Sequence, residues 1–109
     1  ISSLGVMGGF QQPQGHLQVI SNLIDSGMNP QESLDSPRFS IDLDNKALLL
    51  EDSFNKNTVN GLLSKGHDVK IKSGFDRGSF GGGQVIIKKS NGILVGGSDS
   101  RKDGLAISY

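Results

Sequence analysis

"GVMGGFQQPQGH", Gly5 to His16, is the stretch on which the fold turns. An apolar run ending at Met7 meets two adjacent glycines, Gly8 and Gly9, and Pro13 then introduces a glutamine-rich segment. Glycine has no Cβ, so a glycine pair admits backbone conformations closed to other residues and lets a neighbour come close. Ile1 to Met7 therefore reads as a strand that breaks at Gly8–Gly9. Pro13 suits the first turn of a helix, where its missing N–H costs nothing. Leu17, Ile20, Leu23 and Ile24, with Val19 beside them, recur at three- and four-residue spacing and predict one apolar helix face. Gly27 is placed to end that helix in left-handed geometry.

Downstream, Asn29-Pro30-Gln31-Glu32 combines an N-cap, a first-turn proline and a glutamate that reaches back to the cap. A short second helix follows, and Pro37 stops it because Ser36 is biased out of helical geometry. "RFSIDL" alternates Phe39, Ile41 and Leu43, and "KALLLE" follows across Asp44-Asn45, which reads as a hairpin. A third helix fits Asn57 to Lys65, with Val59, Leu62 and Leu63 apolar and Gly66 closing it. "HDVKIK" alternates as an edge or half-buried strand does. "SGFDRGSFGGGQ" is read as loop, and "QVIIKK" and "ILVGG" flank Ser90-Asn91-Gly92, a strong hairpin signal. Asp99, Arg101 and Asp103 predict an internal salt-bridged corner, with Arg38 in a similar structural role, before a last apolar segment. Helices and strands without regular alternation give an α+β class with mainly antiparallel pairing. The apolar run Val85-Ile86-Ile87 calls for cover on both sheet faces, which helices outside a stacked pair of sheets would supply.

A chain of 109 residues allows one domain at most, residues 1–109. Hydrophobic residues make up 34%, aromatics 6%, and there are 16 glycines, so the core is thin and the chain reads as a piece of something larger. The first residue is Ile, which points the same way, and no cationic signal peptide opens the sequence. Eleven basic residues balance eleven acidic ones without clustering, which argues against nucleic acid and anionic membranes as partners. The apolar runs are too short to span a bilayer. With no cysteine, thiolate metal sites and cysteine nucleophiles are excluded.

Candidate chemistry is sparse. The glycine-rich loop lacks the lysine of a phosphate cradle, and His16 and His67 are too few and too far apart in sequence for a metal site, His16 being placed for a local hydrogen bond. No metal or other cofactor is expected. Thr58 has no base beside it, no GxSxG or SxxK arrangement occurs, and Ile1 carries no nucleophilic side chain, so the chain alone is expected to be inactive. Gly8 and Gly9 remain open to two readings: backbone N–H donors for a developing oxyanion, or a turn that needs positive φ.

Several stretches, in order and covering nearly the whole chain, resemble one family. "GVMGGFQQPQGHLQVISNLIDSGMNPQESLDSPRF", "LLSKGHDV", "FGGGQVIIKKSNGILVGGSDSRKDG" and the closing Tyr109 are similar to the C-terminal part of the small subunit of gamma-glutamyltransferase (gamma-glutamyltranspeptidase). The resemblance implies an N-terminal-nucleophile hydrolase with an αββα sandwich, made by self-cleavage of a precursor, whose new N-terminal Thr attacks γ-glutamyl amides such as glutathione. It implies that Gly8 and Gly9 are catalytic and substrate-binding through their N–H groups as the oxyanion hole. The partners it implies are a γ-glutamyl compound, the remainder of the parent polypeptide or its large subunit, and a second copy in a homo-oligomer. The family's Thr nucleophile and its substrate-holding Asn and Asp lie upstream and have no counterpart here. "FGGGQ" stands where "FGRGQ" is usual, and Ser100 where Pro is common. Family members are periplasmic, secreted, cell-surface or cytoplasmic, so the compartment stays open. Two further readings stand: a fragment of a related cephalosporin-type acylase, or a non-catalytic, dimerising domain.

Overall fold

The computed structural model describes residues 2–108; the expectations for Ile1 and Tyr109 lie outside the described residues. Strand β1 (Ser2–Met7) ends at the glycine pair, and a 3-10 turn (Gly9–Gln11) leads into helix α1 (Gln12–Ile24). Helix α2 (Pro30–Asp35), strands β2 (Phe39–Ile41) and β3 (Leu48–Glu51), helix α3 (Lys56–Ser64) and strand β4 (Val69–Lys72) follow, then β5 (Gly82–Lys88) and β6 (Leu94–Ser98). The class is α+β, rich in antiparallel pairs.

The strands make two three-stranded sheets, β1-β5-β6 and β2-β3-β4. The first is antiparallel throughout, with Leu4 opposite Val85 and Val85 opposite Gly97. In the second, β2 and β3 form the expected hairpin, but β4 joins β3 in parallel, with Leu50 opposite Ile71, because α3 carries the chain back across. The Asn91-Gly92 turn closes β5–β6 with Gly92 at φ 86, and Lys89 N–H bonds Ile93 O at 2.9 Å.

One face of the first sheet carries α1 and α2 over a small core of Val6, Val19, Leu34 and Val85. A Cβ on Gly15 would stand 2.8 Å from Val6 Cγ1, so glycine there lets α1 settle directly on β1. This contact fixes the helix rotation and corrects the apolar face expected from periodicity. Gln11, Gly15 and Val19 point inward, whereas Leu17 and Ile24 are 66% and 75% exposed. The opposite sheet face is not covered by the second sheet. Ile86 is 52% exposed, and residues 104–108 run beside a shallow groove lined by Ile86, Leu94 and Gly96. Among the described residues, then, the chain supplies one helix layer and one sheet layer, with the second sheet joined to them through α1 and a buried ion cluster.

Local signals account for the helix ends. Asn29 Oδ1 accepts Glu32 N–H while Glu32 Oε2 accepts Asn29 N–H, both at 3.0 Å, which completes the capping box of α2. Gly27 at φ 64 follows α1, and Gly66 at φ 85 follows α3. The segment read as loop is instead a 3-10 stretch (Gly74–Phe80) that buries Phe80 completely. Glycine content marked its irregular backbone but hid the anchoring role of that phenylalanine.

Side chains from the helices seal the open sheet edges. Gln14 exchanges two hydrogen bonds with Ile41, Oε1 accepting its N–H at 2.8 Å and Nε2 donating to its carbonyl at 3.2 Å. Gln18, one turn on, does the same with Phe39 at 2.9 and 3.0 Å. The four-residue helix spacing thus matches the two-residue strand spacing, and the pair of amides stands in for a neighbouring strand. Gln31 pairs in this way with Ser98 on β6. On β1, Val6 N–H donates to His16 Nε2 at 3.2 Å, and His16 Nδ1 lies 2.7 Å from Gln12 O, two contacts that the Nδ1–H tautomer meets together.

Candidate functional site

Gly8 and Gly9 stand where β1 stops and the chain turns into α1. Gly8 has φ 148 and Gly9 φ 58, both conformations that favour glycine. A Cβ on Gly8 would meet Gly81 Cα at 3.0 Å, so Gly8 rests against the start of β5. Gly8 O accepts Gln11 N–H at 3.0 Å, and Gly9 O accepts Gln12 N–H, closing the 3-10 turn. The N–H groups of Gly8 and Gly9 have no acceptor among the described residues. Donors left free just before a helix are suited to an anionic oxygen.

Beside the pair lies a groove of ≈ 560 Å³, with Gln11, Ser40, Asp42, Asp44 and Ser79 in its walls. Asp42 is spent on its own loop: Oδ1 accepts Asp44 N–H at 2.9 Å and Oδ2 accepts Asn45 Nδ2–H at 3.0 Å. Those backbone bonds, from Asp44 first, hold its carboxyl below the usual range. No basic side chain lines the groove among the described residues.

Behind the glycines is a buried cluster of charge. Arg38 Nη2 meets Asp99 Oδ2 at 2.7 Å, and Arg101 grips Glu51 through two parallel bonds, Nε to Oε1 at 2.6 Å and Nη2 to Oε2 at 2.5 Å. Arg101 Nη1 also reaches Asp99 Oδ1 at 3.0 Å, and the partly exposed Arg77 adds Nε to Glu51 Oε1 at 3.1 Å. Burial opposes ionisation of Glu51 and Asp99. The arginines and the backbone N–H groups of Arg38, Arg101 and Gly83 more than offset it, so both carboxyls titrate below their ordinary values. Burial, then repulsion from Arg101, lowers the Arg38 guanidinium.

This cluster reaches the site through the backbone. Arg38 Nη1 donates to Phe80 O at 3.3 Å and Asp99 Oδ2 accepts Gly83 N–H at 2.7 Å, so both ends of the segment that supports Gly8 are fixed. The predicted corner is therefore present with different members. Asp99, Arg101 and Arg38 belong to it, while Asp103 is exposed and makes no ion pair among the described residues. Glu51 and Arg77 were missed, since a glutamate at the end of "KALLLE" looks like a solvent-facing strand terminus. Thr58 and His67 are exposed and stand apart from the groove, and no three His, Asp or Glu side chains gather as a metal site among the described residues.

The sequence matches the family described as Gamma-glutamyltranspeptidase over residues 1–109. The "Glutathione hydrolase-like YwrD proenzyme" of Bacillus subtilis is 32% identical over 107 residues, which are 94% of this chain and 20% of that protein. A cephalosporin acylase from Bacillus halodurans superposes with a TM-score of 0.88 at 40% identity, over 97% of this chain and 19% of the acylase. A Helicobacter pylori gamma-glutamyltranspeptidase mutant gives 0.79 at 28%, over 93% of this chain and 54% of the other. The chain thus spans about a fifth of the length of the first two. These neighbours carry the N-terminal-nucleophile hydrolase fold, and the sequence match runs from end to end: the chain belongs to the gamma-glutamyltranspeptidase family.

Proposed function

We propose that these residues are the C-terminal part of the small subunit of a larger γ-glutamyl hydrolase or transferase, to which Gly8 and Gly9 contribute the oxyanion hole. The observation that carries this reading is the pair of unpartnered N–H groups at the break between β1 and α1, held against Gly81 and open to a groove. A nucleophile from elsewhere in the polypeptide attacks the γ-glutamyl carbonyl, and its oxygen gains negative charge as the tetrahedral intermediate forms. Two N–H donors fixed beforehand stabilise that charge without reorganising, a contribution of about 3–4 kcal/mol per donor removed in comparable sites. The intermediate collapses with cleavage of the C–N bond, the amine leaves carrying the proton given up by the nucleophile, and water or a second amine then takes the acyl group from the nucleophile.

The test uses the complete polypeptide. With γ-glutamyl-p-nitroanilide it should release p-nitroaniline, and the 109 residues alone should not; release by the isolated chain at a comparable rate would contradict the reading. A cephalosporin-type acyl donor is the second reading, favoured by the 40% identity to the Bacillus halodurans acylase. Comparing turnover of a γ-glutamyl anilide with that of a glutaryl anilide separates the two, since the donors differ at the α-carbon substituents.

A further inference from the structure

A lysine bridges the turn on which Gly8 rests. Gly8 packs on Gly81 Cα, and a Cβ on Gly81 would collide with Met7 O, so this stretch of backbone lies directly against the end of β1. The next residue, Gly82, is buried and pairs with Met7 across the sheet. A Cβ there would lie 2.5 Å from Lys102 Cγ, 3.4 Å from its Cδ and 3.3 Å from its Cε, so the lysine stem runs along the place that a side chain at 82 would take. Its head goes on to Gly78, where Nζ donates to the carbonyl oxygen at 3.3 Å. Lys102 thus spans Gly78 to Gly82 with Gly81 between them. Its own base is fixed, since Lys102 N–H donates to Asp99 O at 3.2 Å and Arg101 beside it is held by Glu51 and Asp99. Long cationic side chains lay their methylenes on the protein while the head stays in water; here the head turns back to a carbonyl, and it makes no ion pair among the described residues. Position 82 is also where "FGGGQ" departs from the usual "FGRGQ".

Resting on the reading above, we propose that Lys102 is a positioning residue for the glycine pair: its stem on Gly82 and its head on Gly78 clamp the turn that carries Gly81, the surface on which Gly8 is set. Lys102 acts through that backbone and not on the substrate. Donors that must converge on one oxygen lose more in the transition state than in the ground state when they drift, so loosening the clamp shows in kcat. The clamp also accounts for glycine at 82. Gly82 has no positive φ, and the three atoms nearest to an added Cβ all belong to Lys102. A methyl group at 82 therefore displaces the lysine stem, and it costs nothing once the stem is gone.

The experiment measures steady-state turnover of γ-glutamyl-p-nitroanilide by the complete polypeptide and by Lys102→Ala, Lys102→Arg, Gly82→Ala and the double variant of Gly82→Ala with Lys102→Ala. Lys102 is exposed and Gly78 O still accepts Gly81 N–H without it, so the variants keep the fold. Lys102→Ala should lower kcat about fivefold with KM changed less than about twofold, and Lys102→Arg, which keeps a methylene stem and a cationic donor, should retain most of the activity. Gly82→Ala should cost a similar factor by itself and nothing further in the Lys102→Ala background. An unchanged kcat in Lys102→Ala, a rise in KM in place of the fall in kcat, an equal loss in Lys102→Arg, or a Gly82→Ala loss of the same size in both backgrounds overturns the role of Lys102 and leaves the glycine-pair reading standing. No turnover by the unaltered protein overturns that reading and this proposal with it.

Discussion

Adding a methyl group has different consequences at Gly8 and at Gly9. At Gly8 the new Cβ would lie 3.0 Å from Gly81 Cα, at φ 148, so the backbone between Met7 and Gly9 must move. At Gly9 nothing lies within 4 Å and φ is 58, a left-handed value that alanine adopts at roughly 1–2 kcal/mol. An oxyanion hole depends on where its N–H groups point, so the two substitutions should separate in steady-state kinetics of the complete polypeptide. Gly8→Ala is expected to lower kcat on a γ-glutamyl anilide by about a hundredfold or more with little change in KM. Gly9→Ala should retain most of the activity and lose only stability. Equal kinetic effects, or a Gly8→Ala protein that unfolds more easily but turns over normally, would favour a packing role. The sequence made both glycines visible as a strand break, but the difference between them comes from Gly81, far along the chain, which no local pattern signals.

Helix α1 shows what periodicity can and cannot deliver. Its existence follows from Pro13 and the apolar spacing, and the capping box of α2 and the Asn91-Gly92 turn were legible because each depends on neighbours in sequence. The buried face of α1 was not, since Gly15 and Val19 set it by fitting Val6, while Leu17 and Ile24 were left exposed. The parallel pairing of β3 with β4 was hidden for the same reason, as strand partners are chosen by tertiary packing. Gln14 and Gln18 act as a partner for β2, a role that nothing in the local sequence signals. Replacing Gln18 by Leu strands the half-buried Phe39 N–H, while Phe39 O keeps Gln11, so denaturant unfolding should lose about 1–3 kcal/mol. Gln14→Leu should cost less, because Ile41 is exposed and water can replace the amide. A larger loss for Gln14 than for Gln18 would contradict edge sealing as their role.

Across the whole molecule, the buried charges join the two sheets and support the site together. Arg38 and Arg101 balance Asp99 and Glu51, and removing one member leaves an opposite charge buried without compensation. Asp99→Asn is therefore expected to destabilise the protein by about 3–5 kcal/mol in denaturant titrations at neutral pH. The folded carboxyls titrate below their unfolded values, so their contribution is present above the ordinary carboxylate range and is lost as pH falls through the depressed folded values. Acid titration should show that loss below about pH 4, and Asp99→Asn should flatten it; an unaltered acid limb in the variant would count against the cluster as its source. Uncovered apolar surface at Leu17, Ile24 and Ile86 belongs to the same scale, since it is where further parts of a larger polypeptide would pack. The position of one oxygen decides the role of the glycine pair. A structure of the complete polypeptide bearing a tetrahedral boronate adduct on its nucleophile measures this directly. The prediction is an adduct oxygen about 2.7–3.1 Å from both Gly8 N and Gly9 N; an oxygen turned to other donors, with both glycine N–H groups bound only to water, would contradict it.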